Sequence, residues 1–203
     1  QALLPYFLPE QIAIYRKAHP AVTYSVLLRD RALAEQSIVD LSADLALVFE
    51  PIRLVDFENL LTVPQPIHAV MKRDHPLAKK EVFRLRDCLN YPIALPTSQI
   101  GVRHLLEVAA RQTSLKLDPA IESDSFDFLT NYAREENIIT FQIPIGLPKN
   151  DLLSSMISRP INTRDVPPGA LYFGQLRGRT LPVAAARFAN QLLEAFAARF
   201  ECD

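Results

Sequence analysis

Hydroxyls, guanidinium groups and carboxylates gather at four places in this 203-residue chain, each where an apolar run gives way to helical spacing. Arg29, Asp30 and Arg31 follow "SVLL", and Glu50 and Pro51 follow "LALVF". Thr97, Ser98, Gln99, Ile100 and Arg103 lie in "PTSQIGVR", and Glu122, Ser123, Asp124 and Ser125 lie in "ESDSF". In α/β proteins, ligands bind outside the carboxyl ends of strands, where helix N-termini present free backbone N–H groups. The chemistry open to such loops is recognition of a small polar or anionic molecule. Each residue also has a structural use. Thr97 or Ser98 can cap the following helix, Ser123 or Ser125 the next one, and Arg103 can pair with Glu107 one turn on.

Bond-making hardware is scarce. His19, His68, His75 and His104 are dispersed and make no HExxH or HxH spacing for zinc. His19 and His75 precede prolines and read as surface turn residues, and only His104 stands near a candidate loop. There is no GxSxG elbow, and neither cysteine has an activating neighbour. Cys88 reads as a small hydrophobe filling an apolar corner. Glu135 and Glu136 belong to a charge run at a helix end. No catalytic residue, metal site or cofactor is expected, and no GxGxxG or GxxxxGK[ST] phosphate cradle occurs.

The elements that must carry these loops alternate. Leu4, Leu8, Ile12 and Tyr15 predict a helix stopped by Pro20, and "AVTYSVLL" predicts a strand. Leu33, Ser37, Ile38 and Leu41 share one helical face, and "ADLALVFEP" suits a buried parallel strand. Two further apolar runs cross 56–72 without a clear helix. Then come a short helix in "RLRDCLNY", a strand in "PIALP", and a helix over 102–112 with Val102, Leu105, Leu106 and Ala109 inward. "LDPAIESDS" reads as a strand, and "FDFLTNYAREE" as a helix burying Phe126, Leu129, Tyr132 and Ala133. "IITFQIPI", "MISRPI" and "GALYFGQLRG" read as strands, and "DLLSS" as a turn of helix. Ala189, Leu192, Leu193, Phe196 and Phe200 mark a closing helix. The pattern is an α/β fold with proline-bearing linkers at "KRDHPLA" and "INTRDVPPG".

Composition narrows the classes. With 22 Lys+Arg against 23 Asp+Glu, the net charge of −1 gives this stretch no basic surface for a nucleic-acid backbone. No apolar run is long enough to span a bilayer, so no membrane partner is expected. Two separated cysteines read as reduced thiols in a cytosolic protein. At 203 residues the chain can hold one large or two small domains.

The order "YRKAHP", "DLAL", "DHPLA" and "YPIALPTSQIGVR" resembles the C-terminal effector-binding domain of LysR-type transcriptional regulators. The resemblance implies a type II periplasmic-binding-protein-like fold, with two α/β subdomains, a central cleft and two crossovers. Residues 1–75 and 168–203 would form subdomain I, and 76–167 subdomain II. The family's N-terminal winged helix-turn-helix, its linker helix and the domain's first strand would precede this chain. Where the family often has a glycine-bearing stretch before a late strand, this chain has "REENIITFQIPIG", which turns attention to Phe141 and Gln142.

The implied function is ligand sensing. A small-molecule effector, an anionic metabolite among the candidates, would sit in the cleft. It would touch Thr97, Ser98, Gln99, Ile100, Arg103, Arg29, Asp30, Glu50, Ser123, Phe141 and Gln142. The implied partners are a second copy, as homodimer or homotetramer, and DNA through the N-terminal domain only. The implied location is cytoplasmic, and no enzymatic activity is expected. The alternative on the same fold is an extracytoplasmic solute-binding protein of a transporter.

Overall fold

The computed structural model describes residues 5–52, 56–147 and 155–200. The chain divides into two compact units, one running from 65 to 169 and the other formed by the segments before and after it. The chain thus passes between units twice, at 64/65 and 169/170.

The two-segment unit brings the chain's ends together. Helix α1 (Phe7–Ala18) packs on the closing helix α6 (Val183–Phe200) through aromatic rings. Phe7 and Phe196 have centroids 4.5 Å apart, and Tyr15 meets Phe188 edge-on at 5.4 Å. The buried stripe of α1 is Phe7, Gln11 and Tyr15, one residue before the Leu8–Ile12 spacing expected. Gln11 tolerates burial because Gln191 Nε2 donates to both its backbone and side-chain oxygens.

Helix α2 (Arg31–Val39) is half-clad. It buries Ser37 and Ile38, while Leu33 and Leu41, placed on the same face by spacing, stay exposed. Strands β1 (Ala46–Phe49) and β2 (Phe57–Gln65) flank β8 (Gly169–Leu176) in a sheet ordered β1-β8-β2. β1 runs antiparallel to β8, against the parallel pairing its apolar run suggested. The strand expected from "AVTYSVLL" is absent, and Val26, Leu27 and Leu28 are exposed. Gly174 of β8 lies against the Glu58 carbonyl and the Phe57 ring, so no Cβ fits there.

The continuous unit is a βα sheet. It contains β3 (His68–Lys72), the 3₁₀ turn Pro76–Lys79 and α3 (Leu85–Cys88). Next come β4 (Ala94–Pro96), α4 (Gly101–Gln112), β5 (Ile121–Ser123) and α5 (Phe126–Glu136). β6 (Thr140–Gln142) and β7 (Met156–Pro160) follow. β4 pairs with β5 in parallel, and an Ile93–Ile139 bridge joins it to β6, also in parallel. β3 lies antiparallel between β6 and β7. The order is therefore β5-β4-β6-β3-β7, with β3 reversed. Val70, Ala94, Leu129, Ala133, Ile138, Leu147 and Met156 form a core under α5. The turn of helix expected in "DLLSS" falls on residues 151–155, largely outside the described residues.

"KRDHPLA" is a packed corner rather than a linker. His75 is buried, against its expected surface place, because its Nδ1 accepts the Leu77 N–H and starts the 3₁₀ turn. Its ring meets Tyr91 edge-on at 4.6 Å. Residues 65–75 belong with the continuous unit, because β3 pairs with β6 and β7 there. Farther on, Asp165 takes the Arg84 Nε at 2.6 and 2.7 Å and the Leu85 N–H at 2.9 Å. These bonds, the Arg84 side chain's first, hold the Asp165 carboxyl below its usual pKa.

Candidate functional site

Four strands of the continuous unit run in parallel, so Pro96, Ser123, Gln142 and Pro160 end at one edge of the sheet. Two expected loops meet there. Pro96 pairs with Ser123, and the Thr97 N–H donates to the Ser123 carbonyl at 3.2 Å. The Ser123 hydroxyl accepts the Ser125 N–H, and the Ser125 hydroxyl caps α5 through the Phe128 N–H at 3.2 Å. Of the two serines offered as caps, Ser125 is the one that does it.

The first turn of α4 differs from what capping chemistry suggests. Neither Thr97 nor Ser98 caps it. The N-cap position falls on Ile100, whose side chain has no acceptor, and no side-chain cap is made. The Ile100 N–H instead donates to the Thr97 carbonyl, closing a tight turn over Ser98 and Gln99. Ser98 and Gln99 are exposed, Thr97 and Ile100 half-buried, and Gly101 buried. A twelve-residue helix so begun presents first-turn N–H groups and the positive end of its dipole.

Arg103 is not a free cation beside that turn. Its Nε donates to Glu107 at 2.7 Å, and its Nη1 to Glu122 at 2.5 Å and to the Pro96 carbonyl at 3.3 Å. With 12% side-chain exposure, the guanidinium clamps α4 to the ends of β4 and β5. The Glu107 pairing is the one that the i, i+4 spacing predicts. The Glu122 bond depends on the parallel β4–β5 register, which no local pattern encodes.

The other expected contacts have structural duties. Phe141 is fully buried in the core, so it lines no open surface. Gln142 is 3% exposed and donates from Nε2 to the Gly146 carbonyl at 3.0 Å. In the two-segment unit, Asp30 caps α2 through the Leu33 N–H at 2.8 Å. Glu50 sits at φ 51°, a left-handed conformation uncommon for a side-chain-bearing residue. Its carboxylate accepts the Ala170 N–H at 2.7 Å and its carbonyl accepts Arg31 at 2.9 Å. Among the described residues, exposed Arg29 donates to its neighbour Leu28's carbonyl, at 3.4 Å.

Sequence reasoning passed over His68. Because β3 is reversed, its first residue comes to the edge where the other four strands end, opposite Gln142 and Pro160. Its Nδ1 lies 3.4 Å from the Ser158 hydroxyl, and burial pushes its pKa down to about 4. Cys88 is also buried, with its thiol pushed up to about 12, mainly by burial. Such a thiol is inert toward oxidants. Among the described residues, no group of three or more His, Cys, Asp or Glu side chains could hold a metal ion, and no helix is long and apolar enough to cross a membrane.

Comparison with known proteins agrees on the family. The LysR substrate binding domain model matches residues 1–197. CysB of Burkholderia cenocepacia, an HTH-type transcriptional regulator, is 29% identical over 130 residues, covering 63% of this chain and 41% of CysB. The transcriptional activator CmpR of Synechocystis is 23% identical over 120 residues, covering 59% and 40%. The chain thus matches about two fifths of the length of such relatives. They are transcriptional regulators, not solute-binding proteins of transporters.

Solved structures share the fold. The QuiR effector-binding domain in complex with shikimate superposes with a TM-score of 0.79 at 17% identity, covering 98% of this chain and 94% of that one. The Synechocystis PCC6803 CcmR regulatory domain in complex with 2-PG gives 0.81 at 18%, covering 96% and 93%. The architecture is accordingly type II periplasmic-binding-protein-like. By its sequence match over nearly the whole length, this chain belongs to the LysR substrate binding domain family.

Proposed function

We propose that this chain is the ligand-sensing part of a LysR-type transcriptional regulator, holding a small anionic metabolite at the carboxyl edge of the 65–169 sheet. The observation that carries this reading is the start of α4. Its helix has no side-chain cap, and it follows a turn bearing the Thr97 and Ser98 hydroxyls beside Ser123. A ligand carboxylate or phosphate would accept first-turn N–H groups and those hydroxyls, as anions do at helix N-termini. Arg103 holds the loops in place, and its charge is already met by Glu107 and Glu122. QuiR and CcmR domains of this fold carry shikimate and 2-PG, which supports a small anion as the ligand class.

The rest of the proposal follows the family. Ligand binding would favour one conformation by differential affinity and pass that preference to DNA-binding domains upstream. The working protein would be a cytoplasmic homodimer or homotetramer, and would bind its ligand without turning it over.

The test is calorimetric titration and thermal shift with a panel of small carboxylates and phosphates that includes shikimate and 2-PG. A binding anion is expected to raise the melting temperature. Thr97→Val with Ser98→Ala is expected to weaken it by about tenfold or more, the cost of a lost hydrogen bond to a charged group. Binding that is indifferent to that double variant would sink the assignment of the α4 turn.

A further inference from the structure

Resting on that ligand site, we propose that His68 and Gln142 form its second contact, a neutral pair that selects an anion carrying an uncharged hydroxyl group.

The pair is built by register. His68 and Gln142 are directly opposed in the antiparallel β3–β6 ladder, so their side chains share one face as neighbours. Val70, one step farther from the edge, and Met156, two steps farther, lie on that same face and pack under α5. His68 and Gln142 therefore stand where the core stops and the strand ends begin, on the sheet whose β4 and β5 loops carry Thr97 and Ser123. Each has one polar atom committed. Ser158 meets His68 Nδ1, and the Gly146 carbonyl takes Gln142 Nε2.

Each also has one polar atom left over. Neither His68 Nε2 nor Gln142 Oε1 finds a protein partner among the described residues, and neither is sealed from solvent. A purely structural glutamine as buried as Gln142 would be expected to satisfy both ends of its side chain.

The two open atoms complement each other. In the tautomer whose Nδ1 accepts the Ser158 hydroxyl, the ring proton sits on Nε2, which is then a donor, while Gln142 Oε1 is an acceptor. A hydroxyl can accept from the first and donate to the second. A carboxylate can only accept, so Gln142 Oε1 would face it unpaired. The ring also stays uncharged near neutrality, since burial depresses its pKa and it offers no counter-charge to an anion. A site whose buried polar groups are matched to a hydroxyl discriminates against the analogue lacking it.

The experiment uses the whole chain, nitrogen-15 labelled, with two probes: shikimate, a carboxylate bearing ring hydroxyls, and cyclohexene carboxylate, which lacks them. Both are expected to shift the backbone amide signals of Gly101, Val102 and Arg103. Only shikimate is expected to shift the His68 imidazole nitrogen. His68→Phe, and separately Gln142→Met, should weaken shikimate by about tenfold and leave the hydroxyl-free probe within about twofold. If the amides move while the His68 nitrogen is silent to both probes, the inference is overturned and the anion site stands. If no amide of 101–103 moves with either, the anion site itself is wrong and the pair falls with it. The nitrogen signal is read in the unsubstituted protein, so a poorly folding variant does not blunt the result.

Discussion

Arg103 shows what one side chain can settle. A guanidinium in a ligand loop invites a reading as counter-ion, yet two carboxylates and a carbonyl already hold it. Its work is to pin the start of α4 against β4 and β5. Arg103→Met is therefore expected to lower stability by about 1–2 kcal/mol, below the full range for charged hydrogen bonds because Glu122 is half-exposed. Ligand affinity should fall as well, since the turn loses its anchor, which denaturant melts and titration together would separate.

Half-buried His68 and buried His75 make a second residue-level prediction. Burial lowers the pKa of His68 to about 4 and lowers that of His75 too, with Asp74 opposing the latter. Both rings stay neutral in the folded state while free imidazoles in the unfolded chain titrate at about 6.5. Their contribution is thus fully present above that value and lost as pH falls toward about 4. The melting temperature should drop across that window, and His68→Gln should flatten part of the drop. Asp165, whose pKa is lowered by Arg84, adds its own loss only at more acid pH.

At the level of elements, β8 is packed closely against β2 at Gly174. Gly174 has the Glu58 carbonyl and the Phe57 ring where a side chain would go, and backbone cannot step aside cheaply. Gly174→Ala should cost roughly 1–3 kcal/mol of stability, the usual range for overpacking. Phe196→Ala, which empties the ring cluster between α1 and α6, should cost roughly 3–5 kcal/mol.

Helices α4, α5 and α6 are legible in the sequence because their apolar stripes match the faces they bury. α1 is legible as a helix but not in its phase, because a paired glutamine sits on its inner face. The 22–28 segment has strand composition but finds no partner, since β-propensity expresses packing opportunity more than backbone preference. The loops of the candidate site were visible as strand-to-helix handovers. What each residue does there was not. Duties such as Glu50 latching Ala170, or His68 arriving at the strand ends, come from pairings of 74 to 120 positions in sequence separation.

Over the whole molecule, a continuous unit is inserted into one built from two separate segments. The inserted unit has its own sheet, helices and core, whereas the other needs rings from both segments. An excised 65–169 fragment should therefore retain α/β circular dichroism and a cooperative melt. A fragment ending at 169 should keep that melt while α1 and α2 lose their helical signal. Loss of the melt in both fragments would contradict the independence of the inserted unit.

The meeting of Phe7 with Phe196 also bears on how the protein is made. A ribosome releases Phe7 well before Phe196, so α1 must wait, apolar face uncovered, through the synthesis of the residues between. The inserted unit can settle while its flanks are still incomplete, since its contacts close within residues 65–169. Birth order thus lets the proposed ligand-binding sheet fold before the unit that flanks it, and leaves the aromatic junction of α1 with α6 as the later fastening.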